Sequence, residues 1–219
     1  MGKLFYVMGK SSSGKDTIYE EVFSRKELGL QAFIMYTTRP IRAGETDGVQ
    51  YHFVTEKQLQ ALQEQGKVIE LRTYQTVFGP WHYFTADGDT VDMEHQDYIA
   101  LGTLESYEKV RKYYGADKVV PIYIEVDDDK RLERAIKRER KQAAPNYEEV
   151  CRRFLADQKD FSEENIERAG ITRRFKNNAE REVCMEEIAA YIAEVSGLCS
   201  RISRFDGKRQ SFSNRNLPG

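Results

Sequence analysis

The sequence predicts an α/β fold, on three observations. Five consecutive apolar residues, Leu4 to Met8, run straight into a Gly/Ser/Lys turn and then into an amphipathic segment, Ile18 to Phe23, which reads as strand, tight loop and helix. Further apolar strand patterns, Tyr98 to Leu101 and Val119 to Val126, alternate with the helical stretches Tyr107 to Tyr114 and Lys130 to Lys141. A chain of 219 residues with 40% hydrophobic content suffices for one substantial core with appended lobes, and is too short for two full-sized independent domains.

The turn itself, Gly9-Lys10-Ser11-Ser12-Ser13-Gly14-Lys15, carries the first chemistry. Such a loop aims successive backbone N–H groups inward at the start of a helix, which makes a concave, positively polarised seat for phosphate. Gly9 and Gly14 permit positive φ and close approach of backbone to ligand. Ser11, Ser12 and Ser13 line the seat, and Lys15 reaches the β- and γ-phosphates of a bound nucleotide. The usual pattern continues with a hydroxyl for Mg²⁺. Here Asp16 stands there, followed by Thr17. A carboxylate also binds Mg²⁺, so Asp16 and Thr17 are candidate metal ligands; equally, Asp16 favours the positive end of the helix that starts here.

Composition excludes several classes. A net charge of −2 with 32% charged residues argues against a general nucleic-acid binder. No window approaches the apolar length of a membrane span, and the start of the chain lacks a signal-peptide layout. Three cysteines, Cys151, Cys184 and Cys199, have no metal-ligand spacing and read as packing residues. A cytoplasmic protein without nucleic-acid or membrane partners, monomer or homodimer, is expected.

Leu30 to Tyr36 is a second apolar run, and Tyr36 to Phe53 follows it with Thr37-Thr38-Arg39-Pro40-Ile41-Arg42, Gly44, Gly48 and Tyr51. This stretch closely resembles the GMP-binding segment of guanylate kinases. The resemblance implies that Arg39, Arg42 and Tyr51 grip the acceptor phosphate, and guanidinium groups suit that task because they offer paired N–H donors. Thr55 and Gln58 form a capping-box pattern for a short helix, and Val68 to Leu71 and Val77 to Phe84 read as strands. Within the resemblance, Glu70 takes the place of the glutamate that reads the guanine edge. Phe78-Gly79-Pro80 replaces the family's Tyr-Gly-Ser or Tyr-Gly-Thr, leaving Phe78 and Gly79 as acceptor candidates without the expected hydroxyls. The Asp-x-Asp-x-Gln-Gly signature is absent as well: the chain reads Ala100-Leu101-Gly102-Thr103-Leu104-Glu105, so Thr103 and Glu105 are the candidates there.

Asp127, Asp128 and Asp129 are read as a helix N-cap and first turn. The basic helix after them and a second helix beyond Pro145 look like the lid of a nucleoside monophosphate kinase, with Arg138, Arg140 and Arg153 as the arginines brought to the transferring phosphoryl group. Ile171 to Phe175 is a last short strand, Asn177 lies where the family has an asparagine near adenine, and Glu182 to Val195 closes the domain as a helix.

The chain is thus similar to a guanylate kinase-type P-loop NTPase: a parallel central sheet flanked by helices, a small mixed acceptor-binding lobe and a short helical lid. The implied layout is one domain over residues 1–196, with core 1–35, 86–135 and 161–196, acceptor lobe 36–85 and lid 136–160; residues 197–219 read as a flexible basic tail. The implied activity is Mg²⁺-dependent transfer of the ATP γ-phosphoryl group to GMP or dGMP, with Lys15, Arg42 and the lid arginines neutralising charge. Two alternatives stay open. Ribose 1,5-bisphosphate phosphokinases are similar in fold and share the Gly14-Lys15-Asp16 variant, and a catalytically dead binding domain of the same fold would keep the architecture without the chemistry.

Overall fold

The computed structural model describes residues 1–76, 78–88 and 91–198. Strand β1 (Leu4–Met8) passes through the Gly/Ser loop into helix α1 (Lys15–Phe23). After a short 3₁₀ turn come β2 (Gln31–Ala32), β3 (Tyr36–Thr37), β4 (His52–Phe53), α2 (Glu56–Glu64), β5 (Val68–Thr76) and β6 (Gly79–Ala86). The chain returns through β7 (Tyr98–Leu101), α3 (Leu104–Tyr114) and β8 (Val119–Glu125), and continues with α4 (Asp128–Glu139), α5 (Tyr147–Asp160), α6 (Glu163–Arg168), β9 (Arg174–Lys176) and α7 (Arg181–Val195).

Two sheets result. The central one has the order β2-β7-β1-β8-β9, with every pairing parallel. All five residues of β1 are buried, as expected for a strand covered on both faces. Leu4, Tyr6 and Met8 pack with Leu104, Tyr107 and Val110 of α3. Phe5 and Val7 face the opposite layer, formed by Ile18 and Val22 of α1 and Cys184, Ile188 and Ile192 of α7. The second sheet, β4-β3-β6-β5, mixes one parallel and two antiparallel pairings and carries its own small core of Leu59, Phe84 and Ala86. The α/β class with a parallel central sheet and flanking helices therefore stands.

Several elements differ from the sequence reading in informative ways. The apolar run at 30–36 is divided between the sheets: Phe33 donates its backbone N–H to Ile99, whereas Tyr36 and Thr37 pair with Phe84 and Tyr83. The last strand begins at Arg174, because Ile171 packs into the core cluster instead of pairing. Asp127 is the N-cap residue of α4, but its side chain makes no cap hydrogen bond. Cys184 is buried as a packing residue should be; Cys151 is exposed, and Cys199 lies outside the described residues. The tail from residue 199 lies outside them too. The capping box of α2 forms with Thr55 and Gln58. Among the described residues no helix is long and apolar enough to cross a membrane.

The carboxyl ends of β1, β7 and β8 converge at one edge, where ligands of open α/β sheets bind. Gly102 follows β7 there, and a Cβ on it would lie 2.2 Å from the hydroxyl of the fully buried Tyr6. That hydroxyl bonds Ser106 Oγ at 2.7 Å, and burial pushes its pKa up to about 12, so it stays neutral. Gly102→Ala is expected to lower unfolding free energy by ~1–3 kcal/mol through overpacking. Urea denaturation measures it, and a variant as stable as the parent would mean that Tyr6 has room to move.

Candidate active site

The Gly9–Lys15 loop is shaped by space as much as by torsion. Gly14 has φ of +85° and serves as the N-cap of α1, and Ser12 also lies in the left-handed region at +63°. Gly9 is required for a different reason: a Cβ there would lie 2.6 Å from the Ile124 carbonyl and 2.8 Å from Ser13 Oγ. Three distant groups hold the loop. Asn177 Nδ2 donates to the Ser13 carbonyl at 2.8 Å, Arg131 Nη1 donates to the Ser11 carbonyl at 3.1 Å, and the Ser11 N–H donates to Asp157 Oδ2 at 2.8 Å. Asn177, expected near adenine, is 3% exposed and sits under the loop as an anchor. The hydroxyls of Ser12 and Ser13 are buried without a hydrogen-bond partner among the described residues. Buried hydroxyls normally find partners, so the loop has unmet capacity for a polar ligand. Lys15 Nζ lies 3.6 Å from the Asp16 carboxylate, and Asp16 and Thr17 are both exposed on the first turn of α1.

On one side the loop borders a cavity of about 240 Å³ shared with α4 and α5, whose lining includes Ser11, Ser12, Arg131, Arg138, Arg153 and Phe154. Arg138 and Arg153 are thus brought together as the sequence suggests. Arg153 donates from Nε to Glu149 at 2.6 Å, and Arg152 and Arg153 together hold the Glu149 carboxyl down to about 2. Arg140 is separated from them. It lies with Asp129, Leu132, Ile136 and Lys137 around a different cavity, because it caps the far end of α4 on another face. The sequence reading missed Arg131, which is only 1% exposed and bonds Asp128 and Asp157 as well as the loop, with its guanidinium 4.7 Å above the Phe154 ring. Its spacing of three from Asp128 was the available signal.

On the other side lies a cavity of about 450 Å³ whose walls include Lys15, Asp16, Tyr51, Arg72, Tyr74 and Thr103. A second space of about 400 Å³ joins Lys15, Arg72 and Thr103 to Glu105. Glu105 is exposed on the first turn of α3 and pairs with Lys109 at 2.6 Å. Arg39 is 3% exposed and already engaged: Nε donates to Tyr83, Nη1 to the Pro40 carbonyl and Glu45, and Nη2 to Glu45. One of its five N–H groups is left. Arg42 is exposed, with its backbone N–H on Glu45. Tyr51 stands edge-on to Tyr83, with the Arg39 guanidinium 5.8 Å from its ring.

Three acceptor candidates are not where the sequence suggests. The Glu70 side chain is wholly buried; it accepts from Arg72 Nε at 3.0 Å, from Arg72 Nη2 at 3.2 Å and from Thr85 Oγ1 at 2.9 Å. Phe78 lies in the turn of the β5–β6 hairpin and Gly79 opens β6, with Phe78 82% exposed and stacked on Trp81 at 6.3 Å, and neither residue lines either cavity.

A family model described as guanylate kinase matches residues 1–167. The chain belongs to the guanylate kinase family. It is 34% identical over 87 residues to a guanylate kinase of Neisseria meningitidis serogroup A, a match covering 40% of each chain. It is 38% identical over 73 residues to a guanylate kinase of Streptococcus agalactiae serotype III, covering 33% of this chain and 35% of that one. These curated relatives are therefore matched over less than half of their length. A crystal structure of guanylate kinase from Anaplasma phagocytophilum superposes with a TM-score of 0.56 at 19% identity, covering 88% of this chain and 85% of that one, which establishes the shared fold.

Within the family framework the Arg39–Glu45 pair gives a test of the site's electrostatics. Hydrogen bonds from the Arg39 guanidinium, then from the Arg42 N–H, hold the Glu45 carboxyl down to about 2 from an ordinary 4.5. A carboxyl depressed in the folded state adds stability that is complete above its unfolded pKa and disappears as pH falls through the folded one. Thermal unfolding followed from pH 5 to 2 should therefore show the parent losing stability faster than Glu45→Gln below about 4.5. Parallel profiles would mean that the pair does not form in solution.

Proposed function

We propose that the protein transfers the γ-phosphoryl group of ATP to the phosphate of a nucleoside monophosphate, with GMP or dGMP as the acceptor. The observation that carries this reading is the common cavity in which Lys15 of the phosphate-loop end faces Tyr51, Arg72 and Thr103 of the acceptor side. Family membership and the curated relatives, which are guanylate kinases, support the same choice.

In this reading the unpartnered Ser12 and Ser13 hydroxyls and the loop N–H groups other than those of Ser11 and Ser13 take the ATP phosphates, with Lys15 between the two substrates. Arg42 and Tyr51 hold the acceptor phosphate, and Arg39 contributes its one remaining N–H while Glu45 fixes its orientation. An acceptor phosphate oxygen bonds to the γ-phosphorus as the bond to the β,γ-bridging oxygen breaks, so no covalent enzyme intermediate is formed. Arg138 and Arg153 approach from the α4–α5 side, which acts as the lid, and neutralise the developing charge. Arg140 and Asn177 take no direct part; Asn177 acts by fixing the loop.

Among the described residues no three acidic, His or Cys side chains converge. Mg²⁺ typically binds through one or two carboxylates plus substrate phosphates, and the exposed Asp16 beside Lys15, with Thr17 next to it, fits that limited donor set. Bound there, the ion would neutralise phosphate charge.

Lys15→Ala should lower kcat for GMP by at least about 100-fold, the order expected when a donor to transition-state charge is removed, with an unchanged thermal melt because the residue adds little to the core. Turnover at the parent rate would remove Lys15 from the reaction. Asp16→Ala should weaken Mn²⁺ binding in the presence of a non-hydrolysable ATP analogue, as read by electron paramagnetic resonance. Unchanged binding would leave Asp16 with the helix-terminus role alone.

A further inference from the structure

Glu70, Arg72 and Tyr74 alternate along β5 and so share one face of the second sheet. Their order from the interior outward is decided by burial. Glu70 has no exposed side-chain surface and borders neither cavity at the carboxyl end of the central sheet, whereas Arg72 borders both. Two of the guanidinium's nitrogens, Nε and Nη2, are spent on Glu70, and Nη2 also lies 3.9 Å from Met35 Sδ. Nη1 donates to no described residue. Burial alone would depress the Arg72 pKa; the charge and hydrogen bonds of Glu70 outweigh it and raise the value, so the group remains a cation. The group presented to the acceptor is therefore the Nη1 amino group with its two N–H donors, and the carboxylate behind it holds the guanidinium in place.

The rest of the wall is aromatic. Tyr51, Tyr74, Trp81 and Tyr83 line the same cavity, with Tyr74 and Tyr83 edge-to-face at 5.6 Å. Such walls take a planar base, and the paired N–H donors of Nη1 select an edge that accepts. On a purine, O6 and N7 of guanine or hypoxanthine are adjacent acceptors that a guanidinium engages well, whereas adenine offers an N6–H₂ donor in place of O6. Arg72 compensates for what the sequence lacks, since Pro80 carries no hydroxyl and Leu101 to Glu105 replaces the aspartate signature.

We propose that Arg72, positioned by Glu70, is the specificity-determining residue of this site, reading the O6/N7 edge of a 6-oxopurine, and that the 2-amino group of guanine is not read. This rests on the nucleoside monophosphate reading given above. It separates the chain from a site in which a carboxylate contacts N1–H and the 2-amino group, because that site would discriminate strongly against IMP.

The test is kcat/KM for GMP, IMP and AMP with ATP, using the full chain, Arg72→Gln, and the double variant Glu70→Gln/Arg72→Gln. The double variant removes the buried charge that Arg72→Gln alone would leave unpaired, so the comparison survives if the single variant fails to fold. The parent is expected to use GMP and IMP within about 5-fold of each other, and AMP about 5- to 150-fold less well, the range of one bidentate base contact. In the variants GMP and IMP should fall together and the preference over AMP should collapse. Glu70→Gln should lower GMP and IMP by the same factor, as a positioning residue would. A parent that prefers GMP over IMP by 50-fold or more, or a folded variant that keeps its GMP-to-AMP ratio, would overturn the assignment while leaving the kinase reading in place. A folded parent that phosphorylates none of the three would remove both.

Discussion

Everything at the carboxyl edge of the central sheet depends on one constraint: a loop with two residues in the left-handed region has to be held in that shape from outside. Its carbonyls at Ser11 and Ser13 are fixed by Arg131 and Asn177, side chains 120 and 164 residues away in sequence. Gly9 lies so close to the Ile124 carbonyl that only a hydrogen fits in place of a side chain. Backbone torsions in the left-handed region at Ser12 and Gly14 persist because these contacts over-determine them. The central sheet places β1, β8 and the turn after β9 close enough for all three anchors to act at once. The apolar β1, buried along all five residues, anchors the start of the loop in the core.

A second regularity is the way cations are kept in place. Arg39 is held by Glu45, Arg72 by Glu70, Arg131 by Asp128 and Asp157, and Arg153 by Glu149. Pairs of this kind are weak as sources of stability, since desolvation offsets much of the attraction. Their value at a phosphate-handling site is orientation, because a guanidinium already fixed by a carboxylate loses little freedom when substrate arrives. Arg131 and Arg153 border the cavity between the loop, α4 and α5, and Arg72 borders the one beside Lys15, whereas Arg39 lines neither.

Local pattern made much of this legible. Leu4–Met8, the capping box at Thr55 and Gln58, and the helix closing the domain follow from residues that are neighbours in sequence. The strand, Gly/Ser loop and helix over residues 4–23 were legible for the same reason. What escaped was set by distant packing. Arg131 reads as one of many solvated charges on a basic helix until α5 brings Asp157 beside it, and Arg140 reads as its equal until the helix turns it to another face. Glu70 has the right letter in the right place, yet the residue two positions on decides what the cavity sees. Asn177 resembles a base-contacting residue, and only the fold reveals that its amide is occupied by the loop.

In the proposed function the anchored loop from Gly9 to Lys15 is the seat for nucleotide phosphate. Two-dimensional ¹H–¹⁵N correlation spectra recorded while a non-hydrolysable ATP analogue is titrated address it directly. Large, saturable shifts are expected at the amides of residues 11–17 and at the Asn177 side-chain amide, which donates to the loop. Saturable binding that leaves those amides unmoved and shifts resonances elsewhere would contradict it.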